Sequence, residues 1–225
     1  VGSEMCIRDS IQQKTASNGD VLRGGDVEFE DTNNDGIINM LDRKVIGCAQ
    51  PDVTGGVSTT LSWKNFSLYA SLYYSVGGNI YNYSEAQRNQ FRQDGTTPSP
   101  IAIANMWTGP GDIAKYPAPI NKEHNRLPPS SFYIEDASYI KLRNVKLSYS
   151  LPKKWINTVW MKAATVYVYG NNLLTFTNYK GYDPEFSLGT SDPLTLGIDQ
   201  NRYPRKREYG LGAVSYTHLT LPTKL

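Results

Sequence analysis

Apolar and polar side chains alternate with a period of two along several stretches of this chain, as they do in strands that bury one face. From Val53 to Trp63 the odd positions are Val53, Gly55, Val57, Thr59, Leu61 and Trp63, while the even ones are Thr54, Gly56, Ser58, Thr60 and Ser62. After Lys64 and Asn65 the alternation restarts. Phe66, Leu68, Ala70, Leu72, Tyr74 and Val76 share one face, and Ser67, Tyr69, Ser71, Tyr73 and Ser75 the other. The two segments read as a hairpin with a very short turn. A third strand is expected from about Ser138 to Leu151, with a change of phase near Arg143 and Asn144 that suggests a β-bulge. A fourth is expected from Ala164 to about Leu174, where Val166 and Val168 alternate with Tyr167 and Tyr169, and a fifth from near Arg207.

The connections alternate in length. Lys64–Asn65 and the stretch from Pro152 to Lys162 are short, whereas about Gly77 to Ala137 and about Thr177 to Lys206 are long and rich in Pro, Gly, Asn and Asp. Strands of about ten residues or more are long for a soluble sheet, where roughly five or six is usual, but they suit a tilted crossing of a bilayer. Short turns on one side and long loops on the other are the habit of outer-membrane barrels. If Lys64–Asn65 is a periplasmic turn, the segment before Val53 lies on the extracellular side.

Composition agrees with a barrel wall. Tyrosine is the dominant aromatic, with 16 residues, and mean hydropathy is negative although long segments alternate. No apolar run approaches the roughly 20 residues of a membrane helix, which excludes a helical membrane protein. The net charge of +2 is nearly balanced, and the cluster Arg202, Arg205, Lys206 and Arg207 is too small to argue for nucleic acid. The two cysteines, Cys6 and Cys48, support neither a disulfide framework nor a cysteine metal cluster. Val1–Ser10 and roughly Val214–Leu225 resemble translated sequencing-adapter read-through and are set aside from fold reasoning, so both natural termini are expected to be missing.

One stretch implies chemistry by spacing. Asp31, Asn33, Asp35, the carbonyl of Ile37, and Asp42 stand at positions one, three, five, seven and twelve of a calcium-type loop, with Gly36 at the turn. One calcium ion is the expected cofactor, and no organic cofactor is expected. The alternative is an Asx-rich turn whose side chains cap its own backbone. Gly47 and Pro51 stop any long exit helix and no second copy exists, so the ion would brace an outer loop and do no signalling.

The strings carry a resemblance. Gly25-Asp26 through Asp35-Gly36, then Asp42-Arg43 and Ile46-Gly47, then Tyr139 to Pro152, then Val166 to Thr177 with Gly170-Asn171-Asn172, and finally Gly181 to Glu185 resemble SusC/RagA-type TonB-dependent outer-membrane transporters of Bacteroidetes. Met106 to Gly111 and Tyr203-Pro204-Arg205 fit in the same order. The resemblance covers about Gly24 to Gly212. It implies an all-β fold, an antiparallel transmembrane β-barrel whose complete form has roughly 22 strands around a plug, of which this chain would hold the C-terminal strands. It further implies import of glycans, oligosaccharides or peptides, a SusD-like surface lipoprotein as partner, energy from the TonB complex through an N-terminal plug not included here, contact with outer-membrane lipid, and a place in the outer membrane of a Gram-negative cell. No nucleic-acid partner is implied.

On this reading residues 1–10 are set aside, 11–52 form an extracellular loop region with the calcium-type loop at 31–42, 53–213 form C-terminal barrel strands with long outer loops, and 214–225 are set aside. The rival is a secreted calcium-stabilised β-sandwich or carbohydrate-binding module. Tyr69, Tyr73, Trp107, Tyr116, Tyr133 and Tyr139 could stack on sugar rings, but such residues more often form interface girdles or pack loops, and none is assigned. Trp63, Trp155 and Trp160 sit near short turns, where a girdle is the preferred reading. An enzyme is not expected. His124 lies in a polar loop with no nucleophile motif, and Glu135, Asp136, Asp183 and Glu185 read as loop or strand-end carboxylates.

Overall fold

A computed structural model describes residues 15–16, 19, 21–27, 29–90, 97–119, 130–156, 161–185, 197–200 and 203–216. Its elements run β1 (Thr15–Ala16), β2 (Ile37–Ile38), β3 (Val53–Trp63), β4 (Phe66–Val76), β5 (Asn79–Asn82), α1 (Tyr83–Asn89), α2 (Pro100–Ala104), β6 (Ile134–Asp136), β7 (Tyr139–Ser150), α3 (Lys153–Ile156), β8 (Ala163–Thr177), β9 (Ile198–Asp199) and β10 (Glu208–Tyr216). They fall into two compact units, a sheet unit drawn from Pro51–Gly77, Ser138–Asn178 and Pro204–Leu225, and a loop unit drawn from the remaining segments.

The sheet unit holds one five-stranded antiparallel sheet in the order β10-β8-β7-β4-β3. β3 and β4 pair without interruption from Val53↔Val76 to Trp63↔Phe66, the hairpin that the alternation predicts. Lys64 turns the chain at φ 53°, and Asn65 ties the turn to the end of β7, its carbonyl accepting from the Ser150 amide at 2.8 Å and its side-chain amide donating to the Ser150 carbonyl at 3.0 Å. The predicted bulge is present. The register skips Arg143 between Leu142 and Asn144, which brings Leu142 and Val145 to one face although three positions separate them. At the same level the register skips two residues of β8, Asn172 and Leu173, the first at φ 53°.

Two strands differ from expectation. β8 runs on past Leu174 to Thr177, because the two inserted residues leave its phase intact beyond them. β10 pairs through Val214, Ser215 and Tyr216 with Thr165, Ala164 and Ala163, three residues into the segment set aside above. Ladder pairing needs only main-chain groups, and it persists although Val214 falls on the polar face and Ser215 on the apolar one.

The loop unit contains what the sequence left without a period. A three-stranded sheet, β6-β5-β9, leads into α1, capped by Asn82, whose Oδ1 accepts from the Glu85 amide at 2.9 Å. α2 starts at Pro100 behind a Ser99 cap. The hydrophobic core of this unit is small: Val27, Phe29, Ala86 and Tyr133 are buried, with Ile38, Tyr81 and Phe132 packed against them.

Candidate functional site

The Asp31 to Asp42 loop is built by its own side chains. Gly36 takes φ +79°, a conformation that L side chains rarely adopt, and nothing lies near its missing Cβ, so the glycine is there for the backbone turn. Its amide donates to Asp31 Oδ2 at 2.9 Å. Asn33 Oδ1 accepts from the Asp35 amide at 3.0 Å, and Asp35 Oδ1 from the Ile37 amide at 2.7 Å, two successive Asx turns. Asp42 closes the loop from inside. It is fully buried, its two carboxylate oxygens accept from the Thr32 amide at 3.0 Å and the Asn39 amide at 2.8 Å, and its carbonyl accepts from the Thr32 hydroxyl at 3.0 Å. Asn39 caps a single 3-10 turn, Met40–Asp42, and no longer helix follows.

Each residue of the expected ligand set is thus in the loop, and most of their oxygens already accept backbone or side-chain N–H groups. Asn39 Nδ2 also reaches the Ile37 carbonyl, at 3.4 Å. One oxygen stands apart: Asp31 Oδ1 is buried and has no hydrogen-bond partner. Among the described residues no group of three His, Cys, Asp or Glu side chains is gathered for a metal ion, so any ion here would rely on the Asn33 amide and the Ile37 carbonyl as well as on carboxylates.

The five-stranded sheet has two chemically distinct faces. Register places Val57, Leu61, Leu68, Val145, Leu147, Val168 and Leu211 on one of them, and many of these are open, with Leu61 62%, Val168 51% and Leu211 82% exposed. A shallow apolar groove lies on this face, floored by Gly170 between Val145, Leu147 and Val168. The opposite face carries serines, threonines, tyrosines and the cations Lys141, Arg143 and Lys146. There Lys146 lies over the Tyr167 ring at 4.1 Å and Arg143 over Tyr73 at 4.0 Å. Asn144 donates to Asn171 at 2.8 Å, and Asn171 to Glu208 at 3.3 Å, a polar rung across three strands at the level of the bulge.

Comparison with known proteins identifies the source of this pattern. No family model matches the chain. The chain is 35% identical over 195 residues to TonB-dependent receptor P39 of Formosa agariphila, an alignment covering 85% of this chain and 19% of that protein. It is 26% identical over 192 residues to the TonB-dependent receptor SusC of Bacteroides thetaiotaomicron, covering 82% and 17%. Among solved structures, the RagAB peptide transporter superposes with a TM-score of 0.60 at 29% identity, over 73% of this chain and 17% of that one. The chain is similar to one stretch of the SusC/RagA-type TonB-dependent receptors. It spans about a fifth of the length of the relatives it matches.

For such a receptor the two sheet faces have a ready meaning, since strands of a barrel wall alternate lipid-facing apolar with lumen-facing polar side chains. Of the tryptophans expected in a girdle, Trp63, beside the Lys64–Asn65 turn, and Trp155 are exposed; Trp160 lies outside the described residues. In the loop unit of the receptor, Tyr116 and Tyr133 are buried, and on the sheet so is Tyr139, which makes these tyrosines packing residues. Trp107 lies under Gly25, where a Cβ would approach its ring atoms to 2.4 Å. Tyr69 alone of the six stacking candidates exceeds a third exposed.

The loop unit's carboxylates serve structure. Glu135 accepts from Asn82 at 3.1 Å and from the Lys180 amide at 2.9 Å, and Asp183 accepts from the Glu185 amide at 3.1 Å. Asp199 accepts from the Tyr179 hydroxyl at 2.6 Å, and burial, with that bond and the neighbouring charge, holds the Tyr179 phenol well above its usual range. Burial likewise raises the Tyr133 phenol. Asp112 is the opposite case: bonds from the Thr108 side chain and amide lower its carboxyl. His124 lies outside the described residues. The relatives are receptors, not enzymes. The sequence pattern alone does not bring Lys146 and Tyr169 together; the strand register that pairs them, with Tyr167 on the diagonal, is the missing signal.

Proposed function

We propose that this chain is barrel wall and outer loops of a TonB-dependent importer in the outer membrane of a Gram-negative bacterium of the Bacteroidetes type, taking up oligosaccharides or peptides together with a SusD-like surface lipoprotein. One observation carries the reading: the five-stranded sheet exposes a continuous apolar face on one side and a polar, tyrosine-rich face on the other, in a chain related to SusC. Water on both faces would leave the apolar side chains solvated at a cost of roughly 25 cal/mol per Å²; lipid removes that cost. Fractionation of the full-length gene product tests it. Recovery in the outer membrane, with heat-modifiable gel mobility, is expected. A detergent-free soluble secreted product would instead favour the β-sandwich or carbohydrate-binding module.

A second reading concerns the Asp31 to Asp42 loop, which we propose holds one calcium ion through Asp31, Asn33, Asp35, the Ile37 carbonyl and Asp42. The observation that favours it is the buried, unpartnered Asp31 Oδ1, an oxygen that costs about 1–3 kcal/mol if left unsatisfied. An oxygen set of this kind suits a hard cation. Asp42 would have to yield one of its amide bonds. The intact receptor should melt higher with calcium than with chelator, and the doubly substituted Asp31→Ala, Asp35→Ala form should lose the difference. Identical melting curves with and without chelator would leave the loop as an Asx turn only.

A further inference from the structure

The polar face of the sheet carries one row that neither the fold nor the import reading uses. Register aligns Tyr69 of β4, Lys146 of β7, Tyr169 of β8 and Gly210 of β10 side by side. Tyr69 is 37% and Tyr169 38% exposed. Lys146 is exposed, with its ammonium over the Tyr167 ring.

The glycines set how the rings lie. A Cβ on Gly210 would come within 2.5 Å of the Tyr169 ring, and one on Gly212 within 2.5 Å of Tyr167. The two rings therefore lie across β10, where a side chain would otherwise stand. The strands that carry Tyr69 and Tyr169 are two spacings apart, roughly 10 Å, and the Tyr169 ring reaches about one strand further, over β10. An oligosaccharide of a few rings spans that distance, resting a C–H face on a tyrosine at either end while the rings between them cross Lys146.

Charge on this face has one sign available to a ligand. Of its cations, Lys141 is buried, Arg143 lies over Tyr73 and Lys146 is exposed, and Glu208, the carboxylate among the described strand residues of this face, is already bonded to Asn171 and paired with Lys206 at 3.1 Å. An acidic group on the middle ring would meet an exposed ammonium. A peptide offers carboxylates but no succession of flat apolar ring faces. We infer that Tyr69, Lys146 and Tyr169 form a subsite for an anionic oligosaccharide, one bearing carboxylate or sulfate groups, on the inner wall of the barrel. The inference rests on the importer reading above.

The test uses the full-length receptor in detergent, titrated calorimetrically with a galacturonic acid hexamer and with neutral maltohexaose. The galacturonate should bind, and binding should weaken as salt rises from about 50 to about 500 mM. Lys146→Gln should weaken it about five- to tenfold, the loss of a charged contact, and Lys146→Arg should retain most of it. Tyr169→Ala should weaken either sugar. Heat-modifiable mobility of each variant confirms a folded barrel. The inference is overturned if Lys146→Gln leaves galacturonate affinity unchanged, or if a receptor that is correctly in the outer membrane binds no galacturonate. A receptor absent from the outer membrane overturns the importer reading instead.

Discussion

The sheet unit and the loop unit are stabilised by opposite means. In the loop unit a few side chains are fully buried and bonded to one another: Asn89 donates to the Tyr116 hydroxyl at 3.0 Å, Ser84 to the Asp199 carbonyl at 3.1 Å, and Tyr179 to the Asp199 carboxylate. In the sheet unit main-chain ladders join all five strands, interrupted at the bulge, while many apolar side chains stay open. The loop unit thus carries its own solvent-excluded interior, and the sheet requires an apolar solvent outside it. Substitutions should divide along that line.

The largest effect is expected in the loop unit. Phe29→Ala removes a buried ring from the small core and should cost about 3–5 kcal/mol, read as faster hydrogen exchange of the α1 amides with little change in the strands. On the sheet the same logic fails for truncation and holds for charge. Val168→Ala should be tolerated, whereas Val168→Arg on the apolar face should cost about 2–4 kcal/mol near the bilayer midplane, read as lost heat-modifiable mobility in liposomes. If Val168→Arg folded as well as the parent in lipid, that face would not be the one facing the membrane.

The same division explains what could be read from the sequence. β3, β4 and the bulge at Arg143 were legible because one face of each strand is predominantly apolar, so a phase break shows as a missed alternation. β8 past Leu174 was not, since Asn171 and Asn172 put two polar residues in succession and the register then skips Asn172 and Leu173. In the loop unit, β5, α1, β6 and β9 are short, and their partners are distant in sequence: Asn82 bonds to Glu135 and Ser84 to Asp199, 115 positions on. No local period encodes such contacts. Of the calcium-type loop, the Gly36 turn and the carboxylate spacing were legible, but the burial of Asp42 and its two amide bonds follow from how the loop folds back on Thr32.

An intermediate effect is expected in alkali. Burial raises the phenols of Tyr133 and Tyr179 above the ordinary tyrosine value of about 10. A raised folded-state pKa means that the folded unit keeps protons which the unfolded chain releases. Its stabilising contribution is therefore complete below about pH 10 and falls as pH rises through and beyond that value. The loop unit should open above about pH 10 with delayed, cooperative tyrosinate absorbance, while strand circular dichroism persists. Titration of all tyrosines together at their ordinary value would contradict the buried network.

The smallest effect separates two tyrosines that look alike in sequence. The Tyr133 hydroxyl is buried without a partner, whereas the Tyr179 hydroxyl donates to Asp199. Removing an unpaired buried hydroxyl also removes its desolvation penalty, so Tyr133→Phe should be neutral or stabilise the loop unit by a few tenths of a kcal/mol. Tyr179→Phe leaves the buried Asp199 carboxylate one bond short and should cost about 1–3 kcal/mol. Native-state hydrogen exchange at Ile80 and Tyr81, measured in both variants, reads the difference directly. Equal losses would mean that the Tyr133 hydroxyl has found a partner, and the loop unit would then owe its order to polar pairing throughout and not to the core around Phe29.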